Sequence, residues 1–388
     1  MMFEALIDFF KSTGLYFFFQ EDGWKYAVMM IISLVLLYLA VFKKFEPYLL
    51  IPIGFAMLLV NIPNSGMFIE TTKLVDGVET TSYSGLLGYL YYGVKLGIYP
   101  PLIFLGIGAT TDFGPLIANP KSMLLGAAAQ IGIFITFIGA LLLGFNGAES
   151  ASIGIIGGAD GPTSILLASR LAPHLLGAIS IAAYSYMALV PIIQPPIIKL
   201  ITTKKERAIK MEQLREVHQT EKIIFPILVT ILCITFVPSS APIIGMLMLG
   251  NLIKESNIVP NLTKMAGDSL LYIITILLGL SIGATTMGSS FLTLETLMIV
   301  GLGLIAFSVA TASGVLGGKI MCKLTNGKVN PMIGAAGVSA VPMAARVVHI
   351  EGQKIDPTNY LLMHAMGPNV AGVIGSAIAA GLLLMFFA

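Results

Sequence analysis

Long runs of apolar residues, separated by short polar segments, occupy most of the chain. A helix needs about 20 apolar residues to cross about 30 Å of hydrocarbon, and runs of roughly this length recur from residue 26 onward. We therefore predict about ten transmembrane helices, with a break expected at Pro100 and Pro101. The predicted spans are residues 26–42, 47–60, 85–110, 121–144, 175–201, 223–237, 241–253, 265–287, 291–321 and 357–387.

The same pattern excludes other architectures. A transmembrane β-barrel is built from alternating segments of about ten residues, whereas residues 131–143 are apolar on every face. Inside a bilayer such segments can satisfy their backbone only as helices. Of 388 residues, 56% are hydrophobic and 11% are charged, against about 25% charged in a soluble domain. The fold class predicted is an all-α polytopic membrane protein.

The two halves of the chain resemble each other. Residues 106–111 read GIGATT and residues 281–286 read SIGATT, and each motif is followed by a glycine-rich segment, IIGGADGPTSI at 155–165 and MIGAAGVSAVP at 332–342. Pro191 and Pro368 then fall at matching offsets. This spacing predicts an internal duplication. An odd number of spans in each copy makes it an inverted repeat, as in secondary transporters.

A charged segment separates the halves and gives four predicted regions: an interfacial N-terminal segment at 1–24, a first repeat at 25–203, a linker at 204–222 and a second repeat at 223–388. Residues 1–24 lack the basic start and cleavage site of a signal peptide. Each glycine-rich segment is too short to span and is predicted to form a re-entrant hairpin buried in protein or lining a water-filled cavity.

Lysine and arginine placement predicts the orientation of the chain. With the 204–222 linker in the cytoplasm, most other basic residues also fall inside, and the C-terminus lies outside. The net charge of +2 shows no basic patch of the kind that nucleic acid requires. Cys233 and Cys322 lie in separate apolar segments, so they indicate neither a disulfide framework nor a metal site.

Asp160 is the strongest functional candidate. It stands in the sequence GGADGPT between apolar runs, and an acid at membrane depth indicates a functional site. Glycine carbonyls and the hydroxyls of Thr163 and Ser164 would complete an oxygen shell for a hard cation, either sodium or a proton. The alternative is a solvated Asp-Gly turn.

The second glycine-rich segment brings further candidates. Asn330 opens it, Ser339 lies within it and Arg346 follows it. The planar guanidinium of Arg346 suits a substrate carboxylate at the cytoplasmic mouth, or else it is a positive-inside anchor. Beside the paired prolines, Asn369 is a candidate cation ligand and Tyr186 a candidate proton relay; Tyr184 is interpreted as a helix-packing residue.

Four ordered motifs resemble one known family: GIGATTDFGPLIANP at 106–120, GIIGGADGPTSI at 154–165, NPMIGAAGVSAVPMAARV at 330–347 and HAMGPNVAGVIGSA at 364–377. The family comprises the β subunits of the sodium-pumping oxaloacetate, methylmalonyl-CoA, glutaconyl-CoA and malonate decarboxylases. The resemblance runs from about residue 26 to the C-terminus. By matching positions, the family's functional residues carry over to Asp160, Tyr186, Asn330, Gly334, Ser339, Arg346 and Asn369.

The resemblance implies a carboxybiotin decarboxylase in the cell (inner) membrane that exports Na+ and consumes a proton. Carboxybiotin is presented by a biotin-carrier and carboxyltransferase subunit and is not bound covalently to this chain. A small membrane subunit of the γ or δ type, further copies of the chain and the surrounding lipid are the other expected partners. In this scheme Arg346, Tyr186 and Ser339 are catalytic, while Na+ is bound by Asp160, Asn330, Gly334 and Asn369.

Two other functions fit the same residues less fully. A sodium-coupled carboxylate transporter with a similar inverted-repeat fold would use Arg346 and Asp160 without any chemistry, and fold alone does not exclude it. A passive membrane anchor for a soluble enzyme would have no need of Asp160 inside a membrane hairpin. The acid or acyl-CoA that the complex decarboxylates is chosen on another chain.

Overall fold

The computed structural model describes Phe9 and residues 13–20, 22–75 and 78–388. Within those ranges six helices are long and apolar enough to cross a membrane, and two bent pairs of helices raise the number to eight if each pair crosses once. The chain is thus an all-α membrane protein, as predicted. The count of ten spans and the inverted repeat stay predictions, and most of the predicted interfacial segment at 1–24 lies outside the described residues.

The helices before the linker are broken more often than the sequence suggested. They are Gly14–Phe17 (α1), Gly23–Phe42 (α2), Pro47–Asn61 (α3), Leu86–Lys95 (α4), Tyr99–Thr110 (α5), Gly114–Ala118 (α6), Met123–Ala129 (α7), Ile131–Leu142 (α8), Gly147–Gly154 (α9), Gly161–Leu171 (α10), Leu176–Ala188 (α11) and Val190–Ile201 (α12). Short 3-10 turns link several of them, at Pro120–Ser122, Ile155–Gly158 and Pro173–Leu175.

The linker and second half follow. Their helices are Lys204–Arg207 (α13), Gln219–Phe236 (α14), Ala241–Ser256 (α15), Pro260–Lys264 (α16), Leu271–Ala284 (α17), Gly288–Phe291 (α18), Leu294–Leu324 (α19), Met343–Gln353 (α20) and Leu362–Phe387 (α21). A π-helical turn, Met265–Leu270, precedes α17, and 3-10 turns occupy Pro238–Ser240 and Pro331–Gly337.

Two predicted single spans are bent pairs. Helices α4 and α5 meet at 71°, close to the predicted break at Pro100 and Pro101, where Gly97 adopts a left-handed φ of +74°. Helices α11 and α12 meet at 66°, although residues 175–201 were expected to form one span. Pro191 sits in the first turn of α12 and has no N–H to donate to the preceding turn, so the helix restarts there.

A β-hairpin that the hydropathy pattern did not predict follows α3. Strands β1, Ile69–Val75, and β2, Val78–Ser84, pair antiparallel with Ile69 opposite Ser84. Both strands are rich in threonine and other β-branched residues, which favour extended backbone. Tyr83 at the end of β2 packs edge-on against Tyr91 of α4, which holds the hairpin to the helices.

Helices from the two halves pack closely through the matched motifs. A Cβ at Gly108 of the first motif would lie 1.9 Å from the carbonyl oxygen of Leu247 in α15. A Cβ at Gly283 of the second motif would lie 2.4 Å from the carbonyl oxygen of Ile53 in α3. Only glycine permits such backbone approach. The equivalent use of both glycines is what the predicted duplication would produce.

Candidate functional site

The first glycine-rich segment places Asp160 at the start of a helix. After α9, the 3-10 turn Ile155–Gly158 ends at Ala159, which adopts a left-handed φ of +56°. Asp160 then caps α10: its Oδ1 accepts from the Thr163 N–H at 3.2 Å, and its carbonyl accepts from Ser164 Oγ at 2.7 Å. Aspartate is a favoured N-cap because its carboxylate satisfies a free N–H of the first turn.

The second carboxylate oxygen of Asp160 connects the two halves. Ser376 of α21 donates its hydroxyl to Asp160 Oδ2 at 2.7 Å and lies 3.0 Å from the carbonyl of Val373. Ser339, in the second glycine-rich segment, donates to Ser376 Oγ at 3.1 Å. The Ser339 N–H also donates to the carbonyl of Gly158 at 3.0 Å. A continuous chain of hydroxyl groups therefore runs from Ser339 to Asp160.

This cluster borders an internal cavity of about 390 Å3, whose lining includes Asp160, Ser339, Thr110 and Asp112. Asp160 is only 4% exposed, and no lysine, arginine or histidine among the described residues forms an ion pair with it. A buried carboxylate without such a partner is costly. In the described ranges no group of three or more His, Cys, Asp or Glu side chains approaches metal-binding geometry. The groups around Asp160 are oxygen donors, the type that hard cations prefer.

Asn369 ties α21 to the second glycine-rich segment. Its Nδ2 donates to the carbonyls of Ala336 at 2.9 Å and Val338 at 2.7 Å, on the approach to Ser339. Its Oδ1 is buried and has no hydrogen-bond partner in the part of the chain that the structure describes. Asn369 stands seven residues before Ser376, so both lie on the same face of α21. A free amide oxygen on this face is available to a cation.

Asn330 and Gly334 occupy the other end of the same segment. Asn330 Nδ2 donates to the linker carbonyls of Arg207 at 3.0 Å and Ile209 at 2.9 Å, and Oδ1 accepts from the Met332 N–H at 3.0 Å. A Cβ at Gly334 would lie 1.9 Å from the carbonyl oxygen of Gly314 in α19. Both residues therefore anchor the segment, to the linker and to α19, and no hydrogen bond joins either to Asp160 within the described chain.

Among the described residues, neither the predicted proton relay nor the predicted carboxylate ligand forms a hydrogen bond with Asp160, Ser339 or Ser376. The hydroxyl of Tyr186 donates to the carbonyl of Val300 in α19. Arg346 is exposed on α20, and its guanidinium has no hydrogen bond or ion pair with any described residue. The tyrosine that reaches Asp160's helix is Tyr184 instead, since a Cβ at Gly161 would lie 2.8 Å from its hydroxyl oxygen. Because the Arg346 guanidinium is exposed and unpaired among the described residues, it can bind a ligand from outside the chain.

A second cavity of about 700 Å3 lies between the linker and the loop before α21. Its lining includes Lys210, Arg215, Tyr360 and His364, together with Asp112. Because Asp112 also lines the Asp160 cavity, the two cavities adjoin at this residue. The linker is fixed here by an ion pair of 2.9 Å between Lys210 and Asp356, which lowers the pKa of Asp356 to about 2.

Sequence reasoning overlooked Ser376 and Gln130. Ser376 lies inside a motif used for the family resemblance but had no charge to distinguish it. Gln130 is an uncharged polar residue within a predicted span, and its Oε1 approaches Gly158. Membrane helices often carry isolated polar residues for packing alone, so only the fold shows that Ser376 bonds to Asp160 and that Gln130 lies beside Gly158.

Comparison with known proteins gives one consistent result. The family model for the Na+-transporting oxaloacetate decarboxylase beta subunit matches residues 25–387. The chain is 57% identical to the methylmalonyl-CoA decarboxylase subunit beta of Propionigenium modestum, over 100% of both chains. It is 58% identical to the glutaconyl-CoA decarboxylase subunit beta of Acidaminococcus fermentans, over 98% of this chain and 97% of that one. It is 49% identical to the oxaloacetate decarboxylase beta chain of Klebsiella pneumoniae, over 93% and 94%.

Proposed function

The chain belongs to the family of Na+-transporting oxaloacetate decarboxylase β subunits, and on that premise we propose that it decarboxylates carboxybiotin and uses this step to export Na+ while consuming a proton. It is the membrane subunit of a sodium-transporting decarboxylase. The observation that supports the finer proposal is Asp160, a buried carboxylate in the first glycine-rich segment that is joined through Ser376 to the other half.

Decarboxylation breaks the bond between the carboxylate carbon and the ureido nitrogen of biotin. Carbon dioxide leaves, the electron pair stays on nitrogen, and a proton must reach that nitrogen. In the structure both hydroxyls donate toward Asp160, Ser339 to Ser376 at 3.1 Å and Ser376 to Asp160 at 2.7 Å. A proton taken up by Asp160 reaches biotin in the opposite direction: Ser376 accepts it and passes its own proton to Ser339, so that both hydroxyls reverse. Ser339 is the end of this chain that meets the second glycine-rich segment, so we assign it the proton transfer to biotin.

Sodium is the transported substrate and binds at Asp160 in this proposal. Asn369 contributes its free Oδ1, and glycine carbonyls of the hairpin are further oxygen ligands. The sequence also predicted Asn330 and Gly334 as sodium ligands, and the contacts favour a different role for both. Asn330 has its amide engaged with the linker, and Gly334 has its backbone against α19, so we propose that they position the hairpin.

Arg346 binds the carboxylate of carboxybiotin in this scheme. It is exposed and unpaired among the described residues, and a guanidinium offers two parallel donors to a carboxylate. Coupling requires that binding energy favour the outward-facing state only after decarboxylation, because a ligand shifts a conformational equilibrium only through differential binding. Tyr186 stays a predicted second proton relay, although its hydroxyl here bonds to Val300.

The proposed partners follow from the same scheme. A subunit that carries biotin and transfers the carboxyl group approaches the linker side, which we place in the cytoplasm, with the C-terminus outside. A small membrane subunit and further copies of the chain complete the complex. The inverted duplication, supported by the matched contacts of Gly108 and Gly283, would supply the two alternately open states.

The decisive experiment follows decarboxylation of free carboxybiotin by the purified chain while Na+ is titrated from none to saturation. We expect Na+-dependent release of CO2 from the wild type and its loss in Asp160→Asn. Asp268→Asn, the same change at an exposed acid, is the matched control and should behave as the wild type. Folded wild type that releases no CO2 at any Na+ concentration, yet takes up a labelled carboxylate into proteoliposomes, would establish the transporter alternative instead.

A further inference from the structure

Gln130 interrupts the span that contains α7 and α8 and is 5% exposed. Its Nε2 lies within hydrogen-bonding distance of three carbonyls: Gly126 in α7 at 3.3 Å, Gly337 in the second glycine-rich segment at 3.4 Å and Gly372 in α21 at 3.4 Å. One amide group therefore contacts α7, the second glycine-rich segment and α21, and the last two also provide Ser339 and Ser376 of the chain that ends at Asp160.

The oxygen of the same amide points the other way. Gln130 Oε1 has no hydrogen-bond partner among the described residues. It lies beside the first hairpin, since a Cβ at Gly158 would stand 3.3 Å from it, two residues before Asp160. A buried acceptor without a partner is unfavourable, and this one lies beside the segment that carries Asp160, so it is available to a ligand bound there.

A second unpaired oxygen belongs to the same neighbourhood. Asn369 Oδ1 is fully buried and also without a partner in the described ranges, while its Nδ2 is bonded on either side of Gly337. Gln130 and Asn369 thus use their nitrogens in the same way, on the backbone of the second glycine-rich segment. Each leaves an oxygen for another ligand.

We propose that Gln130 Oε1 is a ligand of the Na+ ion at Asp160 and sets the affinity of the site. The inference rests on the proposed function and extends its ligand set. One carboxylate balances the charge of a monovalent cation, and neutral amide oxygens complete its shell without adding charge that would favour divalent ions. Because the amide is planar, Na+ bound at Oε1 also fixes the Nε2 contacts to Gly337 and Gly372, so ion binding orders the junction between the halves.

The test compares Gln130→Met with the wild type. Methionine is nearly the same size and flexible, but its thioether is a soft and weak ligand for Na+. Gln194→Met is the matched control, because Gln194 is also fully buried and its Oε1 has no partner among the described residues. Its Nε2 donates to the carbonyl of Ala335 in the second glycine-rich segment at 2.9 Å. Two readouts are taken for each protein. The first is the rate of decarboxylation as a function of Na+ concentration. The second is the shift of the unfolding temperature with added NaCl, with choline chloride as the salt control, since an ion that binds the folded state stabilises it.

We expect Gln130→Met to raise the half-saturating Na+ concentration about tenfold in both readouts, with turnover at saturating Na+ within about twofold of the wild type. Gln194→Met should leave the half-saturating concentration unchanged. A wild-type value in a folded Gln130→Met would overturn the inference while leaving the proposed function intact. A wild type that responds to Na+ in neither readout would overturn the proposed function as well.

Gln130→Glu covers the case in which the methionine variant does not fold. It keeps an oxygen at the same reach and loses the donor nitrogen, so we expect a half-saturating Na+ concentration at or below the wild-type value. Loss of Na+ binding in a folded Gln130→Glu would show that the nitrogen contacts, not the oxygen, matter, and would overturn the inference.

Discussion

The hydroxyl group of Ser376 is the only link in the proposed proton chain that comes from α21. It donates to Asp160 Oδ2 at 2.7 Å and accepts from Ser339 Oγ at 3.1 Å. Ser376→Ala removes both hydrogen bonds and leaves a buried carboxylate oxygen and a buried hydroxyl without these partners. The chain from the second glycine-rich segment to Asp160 is then interrupted.

The expected size of the effect follows from these contacts. A hydrogen bond to a charged group contributes about 1.5–3 kcal/mol net, and about 1.4 kcal/mol corresponds to a factor of ten in rate. If this bond is formed as the proton moves, Ser376→Ala should decarboxylate carboxybiotin about tenfold to a hundredfold more slowly at saturating Na+. The rate falls because proton delivery to biotin is impaired, so extra Na+ should not restore it.

The assay measures CO2 released from free carboxybiotin by folded protein, with thermal unfolding recorded in parallel. Ser240→Ala is the matched control, since Ser240 is also buried but donates only to the nearby carbonyl of Val237, at 2.7 Å. Its rate should stay within about twofold of the wild type. A folded Ser376→Ala with the wild-type rate would refute the proton chain.

Three further changes test other parts of the structure. Gly334→Ala should abolish stable expression, because its Cβ would lie 1.9 Å from a backbone oxygen, whereas Gly301→Ala on α19, with no atom within 4 Å, should express normally. Asp356→Asn should speed proteolysis of the linker at neutral pH, because it removes the ion pair with Lys210. The hydrogen bond from Lys210 is the main reason that the pKa of Asp356 falls from its ordinary value of 3.8 to about 2. The ion pair therefore stabilises the linker fully above about pH 4, and the rates of pepsin cleavage of the two proteins should converge as the pH falls toward 2. Tyr186→Phe should keep its Na+ affinity, and a loss of turnover in folded protein would support the predicted proton relay, whereas full turnover would limit the residue to packing.

The sequence by itself determined the fold class and singled out Asp160 as the strongest candidate acid. Hydropathy is a local property, and in a bilayer an apolar segment can satisfy its backbone only as a helix, so an all-α membrane fold could be recognised from the hydropathy pattern alone. Asp160 stood out because a lone acid between apolar runs is rare. The resemblance of four ordered motifs was sufficient to identify the family, and the comparisons confirm it.

Only the tertiary structure decided which polar residues meet. Ser376 lies 216 residues from Asp160 along the chain, and Gln130 contacts Gly372 across 242 residues. Such pairs depend on how the halves pack, which no local pattern encodes. For the same reason Asn330 and Gly334, at the start of the second glycine-rich segment, have side-chain and backbone contacts to the linker and to α19, and no hydrogen bond to Asp160 among the described residues. An isolated serine or glutamine in an apolar span does not by itself indicate a functional site, because membrane helices also use such residues for packing.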